Sequence, residues 1–471
     1  LEDDSPAPAG RRHQAALWAG PLFGLLASGM ALQSGHPESF AIVAGLTVWV
    51  ALWWILEPVP AAVTGLLPLA LLPAFGVLDA RRVAEAYGNE LILLLAGGFM
   101  LAQALEHNGA HRRLAQWMLT LTGAASGRRL LAGFILASGL VSMWISNTAT
   151  TLMLMPVALA ILERYPDRRL HVPLILGIAY AASLGGLGTP IGTPPNLVFM
   201  QVYQQIQGQP FAFADWMAYG LPIVALSLPL LWLWLGRDLA GTPAATLPAL
   251  PPMRAAERRV LTVFLIVALA WVFRASPAGG WSGALGVPGI NDAAIAMLGV
   301  VALFLVPNGE GGRLLTWERA ERIPWGVLLV FAGGIALASG FQSSGLSNWL
   351  AGHFSGLTAL PLLLLVFGLA LGVTLMSEIA SNTATAVLLM PVLAAAATAA
   401  DVDPLLLMMP AAMAASLGFM LPVATAPNMV AYGTGLVSTA RMIREGWAVD
   451  LIGVAVVTLV VWALLRVGLM M

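Results

Sequence analysis

Cysteine is absent from the 471 residues, and so is lysine: all 22 basic residues are arginine. Without cysteine there is no disulfide framework, no thiol nucleophile and no cysteine metal site, and the redox compartment leaves no mark on the chain. Charge is scarce as well, at 10% of residues against 59% hydrophobic, with a mean hydropathy of +0.85. Soluble globular domains do not reach that balance. The alternating pattern of a membrane barrel is missing too. What is present is a series of runs of 18 or more mostly apolar residues from residue 14 onward, which bilayers accept as helices that satisfy their own backbone. The fold class is therefore an all-α polytopic membrane protein.

Residues 1–13 are expected to form a disordered tail, the first ten being polar and proline-containing. Arg11 and Arg12 before an apolar stretch imitate a signal peptide, but the stretch is long for one and many hydrophobic segments follow, so a first transmembrane helix is expected. The crossings fall at 14–33, 39–56, 60–78, 89–105, 170–206, 217–236, 258–274, 291–307, 324–341, 404–435 and 447–470, about 11 in all. With a cytoplasmic N-terminus, only Arg81, Arg82, Arg274 and Arg466 lie outside and the other arginines lie inside. The positive-inside rule then sets a multi-pass protein of the inner (plasma) membrane with its C-terminus outside.

Two further apolar stretches, 130–162 and 359–399, read as re-entrant hairpins. Arg128 and Arg129 precede the first and Arg164 follows it, so the chain must return to the same side. Its arms, 130–145 and 149–162, are only about 24 and 21 Å long at 1.5 Å per residue, short of a core of about 30 Å. Such a loop is tolerated at membrane depth only if protein buries it or it lines a watery cavity.

Each hairpin carries the same polar tripeptide. SNTATTLMLMPV at 146–157 matches SNTATAVLLMPV at 381–392 in nine of twelve positions. Gly97 and Gly98 likewise answer Gly333 and Gly334, and GTPPNLV at 192–198 answers ATAPNMV at 424–430. Five crossings separate the tripeptides, so the second copy is inverted. An inverted repeat with interrupted helices is the architecture of secondary transporters. The proline-rich segment 237–256 is then a cytoplasmic linker.

Helix capping alone would accept many residues at the tripeptides. Recurrence of Ser-Asn-Thr in inverted copies points instead to donors for an anion: free N–H groups, two hydroxyls and an amide at each half-helix start. Two such clusters, Ser146, Asn147, Thr148 and Ser381, Asn382, Thr383, suit a molecule with two negative ends. The proline breaks leave carbonyls unpaired, and hard cations take such oxygens. No arginine, histidine or aspartate is expected near either tripeptide, and Glu378 is the one carboxylate close by, either supporting a cation or solvated. An anion site without a fixed positive side chain argues for a cation bound alongside, hence for sodium (Na+) coupling. Moving a dianion into an inside-negative cell costs about 4.6 kcal/mol at 100 mV, and each sodium returns about 2.3.

The paired tripeptides, the proline breaks and the trailing AYGTG at 431–435 together resemble the divalent anion/sodium symporters, a family of dicarboxylate, citrate and sulfate transporters. The resemblance covers nearly the whole chain. It implies a homodimer with an elevator mechanism: scaffold at 14–122 and 257–358, transport domain at 123–236 and 359–471. It implies that each tripeptide holds one carboxylate. Matching positions put a first sodium on Ser142, Ser146, Asn147 and the Gly192 carbonyl, and a second on Ser377, Ala380, Asn382 and the Ala424 carbonyl. Thr193 and Pro194, with Thr425 and Ala426, border the substrate. Ala426 departs from the proline often found there, which bears on the choice among anions. With both tripeptides intact, a C4-dicarboxylate such as succinate, malate or fumarate is expected, with citrate or sulfate as alternatives. Partners are the lipid bilayer, sodium and the anion, with no nucleic acid.

A sodium-independent dicarboxylate exchanger of the same fold would need another countercharge, and the sequence offers no suitable arginine, lysine or histidine. The same lack of a base argues against an enzyme using Ser146 or Ser381 as nucleophile. A passive channel fits discrete donor clusters less well than binding and occlusion. Segments 103–122 and 342–357, with Trp117 and Trp349, read as interfacial arms between scaffold and moving domain.

Overall fold

The computed structural model describes residues 11–244, 252–275, 279–354 and 361–466. The first half runs α1 (Arg11–Gln33), α2 (Glu38–Leu56), α3 (Ala61–Thr64), α4 (Leu67–Ala74), α5 (Ala80–Tyr87), α6 (Glu90–His107) and α7 (Ala110–Thr122). It continues with α8 (Gly127–Ser142), α9 (Asn147–Leu162), α10 (His171–Gly185), α11 (Pro194–Gln207) and α12 (Phe213–Leu235). The second half holds α13 (Ala255–Val272), α14 (Gly280–Ala284), α15 (Asp292–Leu305), α16 (Trp317–Ala320), α17 (Trp325–Ser344) and α18 (Leu346–Phe354). It ends with α19 (Leu362–Ser377), α20 (Asn382–Ala399), α21 (Pro404–Ala414), α22 (Ala426–Gly433) and α23 (Thr439–Arg466). The protein is all-helical, with one isolated bridge between Pro307 and Arg313.

Among the described residues eight helices are long and apolar enough to cross a membrane. One of them is α20, an arm of the second hairpin, whose 18 residues reach about 27 Å. Several boundaries differ from the sequence reading. Helix α1 begins at Arg11, so residues 11–13 are its first turn, while 1–10 of the expected tail lie outside the described residues. The stretch 60–78 is not one helix: Pro60 starts α3 and Pro68 sits in the first turn of α4, where a missing N–H costs little. The last crossing starts earlier, at Thr439. Parts of the linker (245–251), of the second hairpin's start (359–360), of the arm 342–357 (355–357) and of the last crossing (467–470) also lie outside the described residues.

Hairpins α8–α9 and α19–α20 each pack against the first half of a broken helix, α10 and α21 respectively. The copies interlock, because α22 packs on α9 and α10 while α11 packs on α20 and α21. Arms α7 and α18 lie on α8 and α20, and keep Trp117 and Trp349 partly exposed. Helices α6 and α17 meet this unit through the repeated glycines. Gly98 faces Ile191, and a Cβ at Gly334 would come within 2.2 Å of Val387 Cγ1. There is no room for one. Gly334→Val is therefore expected to destabilise the fold by about 1–3 kcal/mol through overpacking, read as a lower unfolding midpoint of the purified protein in detergent.

Candidate functional site

Both hairpins turn over four residues, 143–146 and 378–381. Helices α8 and α19 stop at Ser142 and Ser377, and α9 and α20 start at Asn147 and Asn382. Across each gap the serine hydroxyl donates to the asparagine Oδ1, at 2.7 Å for Ser142–Asn147 and 2.8 Å for Ser377–Asn382. Ser377 lies at 2.6 Å from the Ala415 carbonyl as well. Ser146 caps α9 by accepting from the Ala149 N–H at 3.3 Å, whereas Ser381 makes no such cap. The three residues of each tripeptide are half-buried, so protein surrounds them without sealing them off.

The broken helices are closed by a residue whose role the sequence reading left unassigned. Asn196 donates through Nδ2 to the carbonyls of Gly186 (2.9 Å) and Thr189 (2.7 Å). Asn428 repeats this with Gly418 (2.8 Å) and Leu421 (2.9 Å). Both asparagines are fully buried, and Trp216 and Tyr180 take the neighbouring carbonyls of Leu187 and Phe419. The prolines do not sit inside a bent helix but at its start. Thr193 and Thr425 are N-caps, followed by Pro194 at the first helical position in one copy and Ala426 in the other.

These bonds leave particular oxygens free. Among the described residues the Gly192 and Ala424 carbonyls accept no hydrogen bond. Asn196 Oδ1, Asn428 Oδ1 and the hydroxyls of Thr150 and Thr385 are buried without a partner, in two symmetric pairs. A Cβ on Gly186 would meet Asn147 Oδ1 at 2.7 Å and the Gly192 carbonyl at 3.2 Å. Gly418 similarly touches Ala424 (3.4 Å) and the Ser377 carbonyl (3.7 Å). Of the first expected cation set, Asn147 and the Gly192 carbonyl meet at Gly186 and Ser142 bonds Asn147; of the second, Ser377 and the Ala424 side chain meet at Gly418 and Asn382 is bonded by Ser377. Ser146 Oγ is turned to its cap, and Ala380 is buried with its N–H on the Met376 carbonyl. Thr193 faces Ser416 across the two copies at 3.4 Å.

Ion pairs of the described residues involve no tip or break residue; the buried ones are Arg113–Glu257 and Arg274–Asp292, elsewhere in the fold. Glu378 is not solvated. It is 3% exposed and accepts from the N–H groups of Met420 and Leu421, each at 2.9 Å. Nor is it the only carboxylate nearby, because Asp450 reaches the second break and accepts from the Phe419 N–H at 3.3 Å. An acid inside the apolar stretch 447–466 is the signal that could have found it. A polar cavity of about 500 Å³, lined by Arg82, Asn89, Gln201, Gln205, Ser339 and Gln342 among others, opens between α11, α5 and α17.

A citrate transporter family model matches residues 51–408 and 364–471. The chain belongs to the citrate transporter family. Its relatives include proteins named sodium-dependent dicarboxylate transporter SdcS. That of Staphylococcus saprophyticus subsp. saprophyticus is 38% identical over 470 residues, covering 94% of this chain and 90% of that one. That of Staphylococcus aureus is 37% identical over 479 residues, covering 96% and 91%. The fold of this citrate transporter family member is also that of two solved structures. The YdaH transporter of Alcanivorax borkumensis gives a TM-score of 0.63 at 17% identity, over 92% of this chain and 99% of that one. MtrF of Neisseria gonorrhoeae gives 0.59 at 11%, over 96% and 97%.

The two glycines separate cation binding from folding. Gly186→Ala pushes the end of the Asn147 side chain, which can swing away, and crowds the Gly192 carbonyl, so the protein is expected to fold while the half-saturating sodium concentration of the first expected site rises about tenfold or more. Gly418→Ala makes only ordinary contacts and is expected to stay within about threefold. Sodium titration of the unfolding midpoint checks both.

Proposed function

We propose that the protein is a secondary transporter that couples inward sodium flux to uptake of a C4-dicarboxylate. The observation that carries this reading is the pair of symmetric tips in which serine bonds asparagine beside a broken helix, with the free Gly192 carbonyl at the first and, among the described residues, no ion-paired basic side chain at either. Such a site supplies oxygens for an alkali cation and amide and hydroxyl donors for a carboxylate, and the cations supply the charge that the side chains lack. The names of its SdcS relatives support the same pairing of sodium with dicarboxylate. In this reading one sodium sits at Ser142, Ser146, Asn147 and Gly192, another at Ser377, Ala380, Asn382 and Ala424. Ser146–Thr148 and Ser381–Thr383 hold one carboxylate each, beside Thr193–Pro194 and Thr425–Ala426. The chain works as a homodimer, N-terminus cytoplasmic and C-terminus outside, with the hairpins and broken helices moving past the α6 and α17 scaffold.

Citrate is the second substrate to test, because the matched family carries its name. Ala426 bears on that choice. Its N–H at the start of α22 has no partner among the described residues, and Pro194 has no N–H to offer. Ala426→Pro removes one charge-assisted donor, so the succinate KM is expected to rise about tenfold, measured beside citrate and sulfate in the same vesicles.

Uptake of radiolabelled succinate into proteoliposomes is expected to require an inward sodium gradient. Asn147→Ala and Asn382→Ala are each expected to lower it at least tenfold with expression unchanged. Equal uptake when choline replaces sodium would overturn the reading, and counterflow persisting in sodium-free buffer would replace it with exchange.

A further inference from the structure

The two copies agree at the tips and diverge one layer behind them. At the first break the loop is held by neutral groups, the Thr189 hydroxyl donating to the Met143 carbonyl. At the second, three consecutive N–H groups, Phe419, Met420 and Leu421, are taken by two carboxylates, Asp450 and Glu378. The positions correspond. Met143 follows Ser142 as Glu378 follows Ser377. Gly220 approaches the Leu187 carbonyl (2.5 Å from its Cβ position) as Gly446 approaches that of Phe419 (2.2 Å), so Val224 stands where Asp450 does. One copy is apolar at both positions and the other acidic at both.

Asp450 is fully buried, and its Oδ2 has no hydrogen-bond partner. It faces Glu378, and Tyr180, whose hydroxyl donates to the Phe419 carbonyl, is the other titratable neighbour. Neither Asp450 nor Glu378 is ion-paired among the described residues, and Arg237 and Arg441 are already engaged by Glu445. The two carboxyls, which accept three backbone N–H groups, put acidic charge behind the second break that the first lacks. That charge is close to the second cation set: Glu378 Cδ lies 3.9 Å from the Cβ position of Gly418, the residue that touches Ala424 and Ser377. A fixed charge in a poorly solvated region favours an opposite charge strongly at this range.

We propose that the two cation sites are inequivalent and load in order, the second site filling at sodium concentrations at least tenfold below the first, with Glu378 and Asp450 as the positioning pair that makes the difference. The inference rests on the sodium-coupled reading above. The order also has a use, since filling the second site would fix the 418–424 loop before the anion arrives.

The test is sodium titration of the unfolding midpoint of the purified full chain without dicarboxylate, using variants that leave one cation site each. Asn147→Ala, which keeps the second site, is expected to half-saturate at least tenfold below Asn382→Ala, which keeps the first. Adding Glu378→Gln with Asp450→Asn to each is expected to raise the half-saturating concentration of the former at least tenfold and to leave the latter within about twofold, a pattern that general loosening of the fold would not give. Equal half-saturation in the two asparagine variants would overturn the inference while leaving sodium coupling intact, and so would a shift of both sites by the carboxyl changes. A native chain that sodium does not stabilise would overturn both. If the carboxyl variants fail to fold, the comparison of the two asparagine variants decides alone, because both retain the pair.

Discussion

A helix interrupted at membrane depth exposes N–H and carbonyl groups that lipid cannot satisfy, and everything else in this protein follows from how those groups are distributed. Asn196 and Asn428 settle most of the account at each break, each bridging two carbonyls with one side-chain amide. Trp216 and Tyr180 take one more carbonyl apiece. Among the described residues the groups that remain over include the Gly192 and Ala424 carbonyls and the Oδ1 atoms of the two asparagines. The site is what is left after the fold has satisfied itself.

That origin explains its chemistry. In the proposed reading, a pocket made from leftover backbone oxygens, hydroxyls and amides has no basic side chain and would hold a cation or an anion only weakly by itself, yet both together because each screens the other. Weak separate binding with strong joint binding is the thermodynamic form of coupling. In the proposed reading symmetry enters because the anion has two ends, and departures from symmetry are then informative. The acidic pair lies behind one copy alone, and the free N–H of Ala426 stands opposite Pro194.

Much of this was legible in the residues. The repeated tripeptides, the glycine pairs and the recurring Pro-Asn located both hairpins and both breaks, because a pattern written twice in inverted copies survives without any knowledge of packing. The exact helix limits were less legible: Pro60 and Pro68 divide the segment after α2, and proline starts helices here as often as it bends them. Asp450 was missed since it is remote from either motif in sequence and meets the break only through the packing of α23. Glu378 was seen but not placed, for a carboxylate beside a hairpin tip looks solvated until the loop that buries it is known. The closing role of Asn196 and Asn428 needed three-dimensional contacts, although their repetition marked them.

The central claim is that neutral groups bind a dianion only in the company of sodium. Isothermal titration of the purified protein with succinate, in sodium chloride and in choline chloride at equal ionic strength, tests it most directly. Saturable binding in sodium with none detectable in choline is the predicted result; the same affinity in both salts would contradict it.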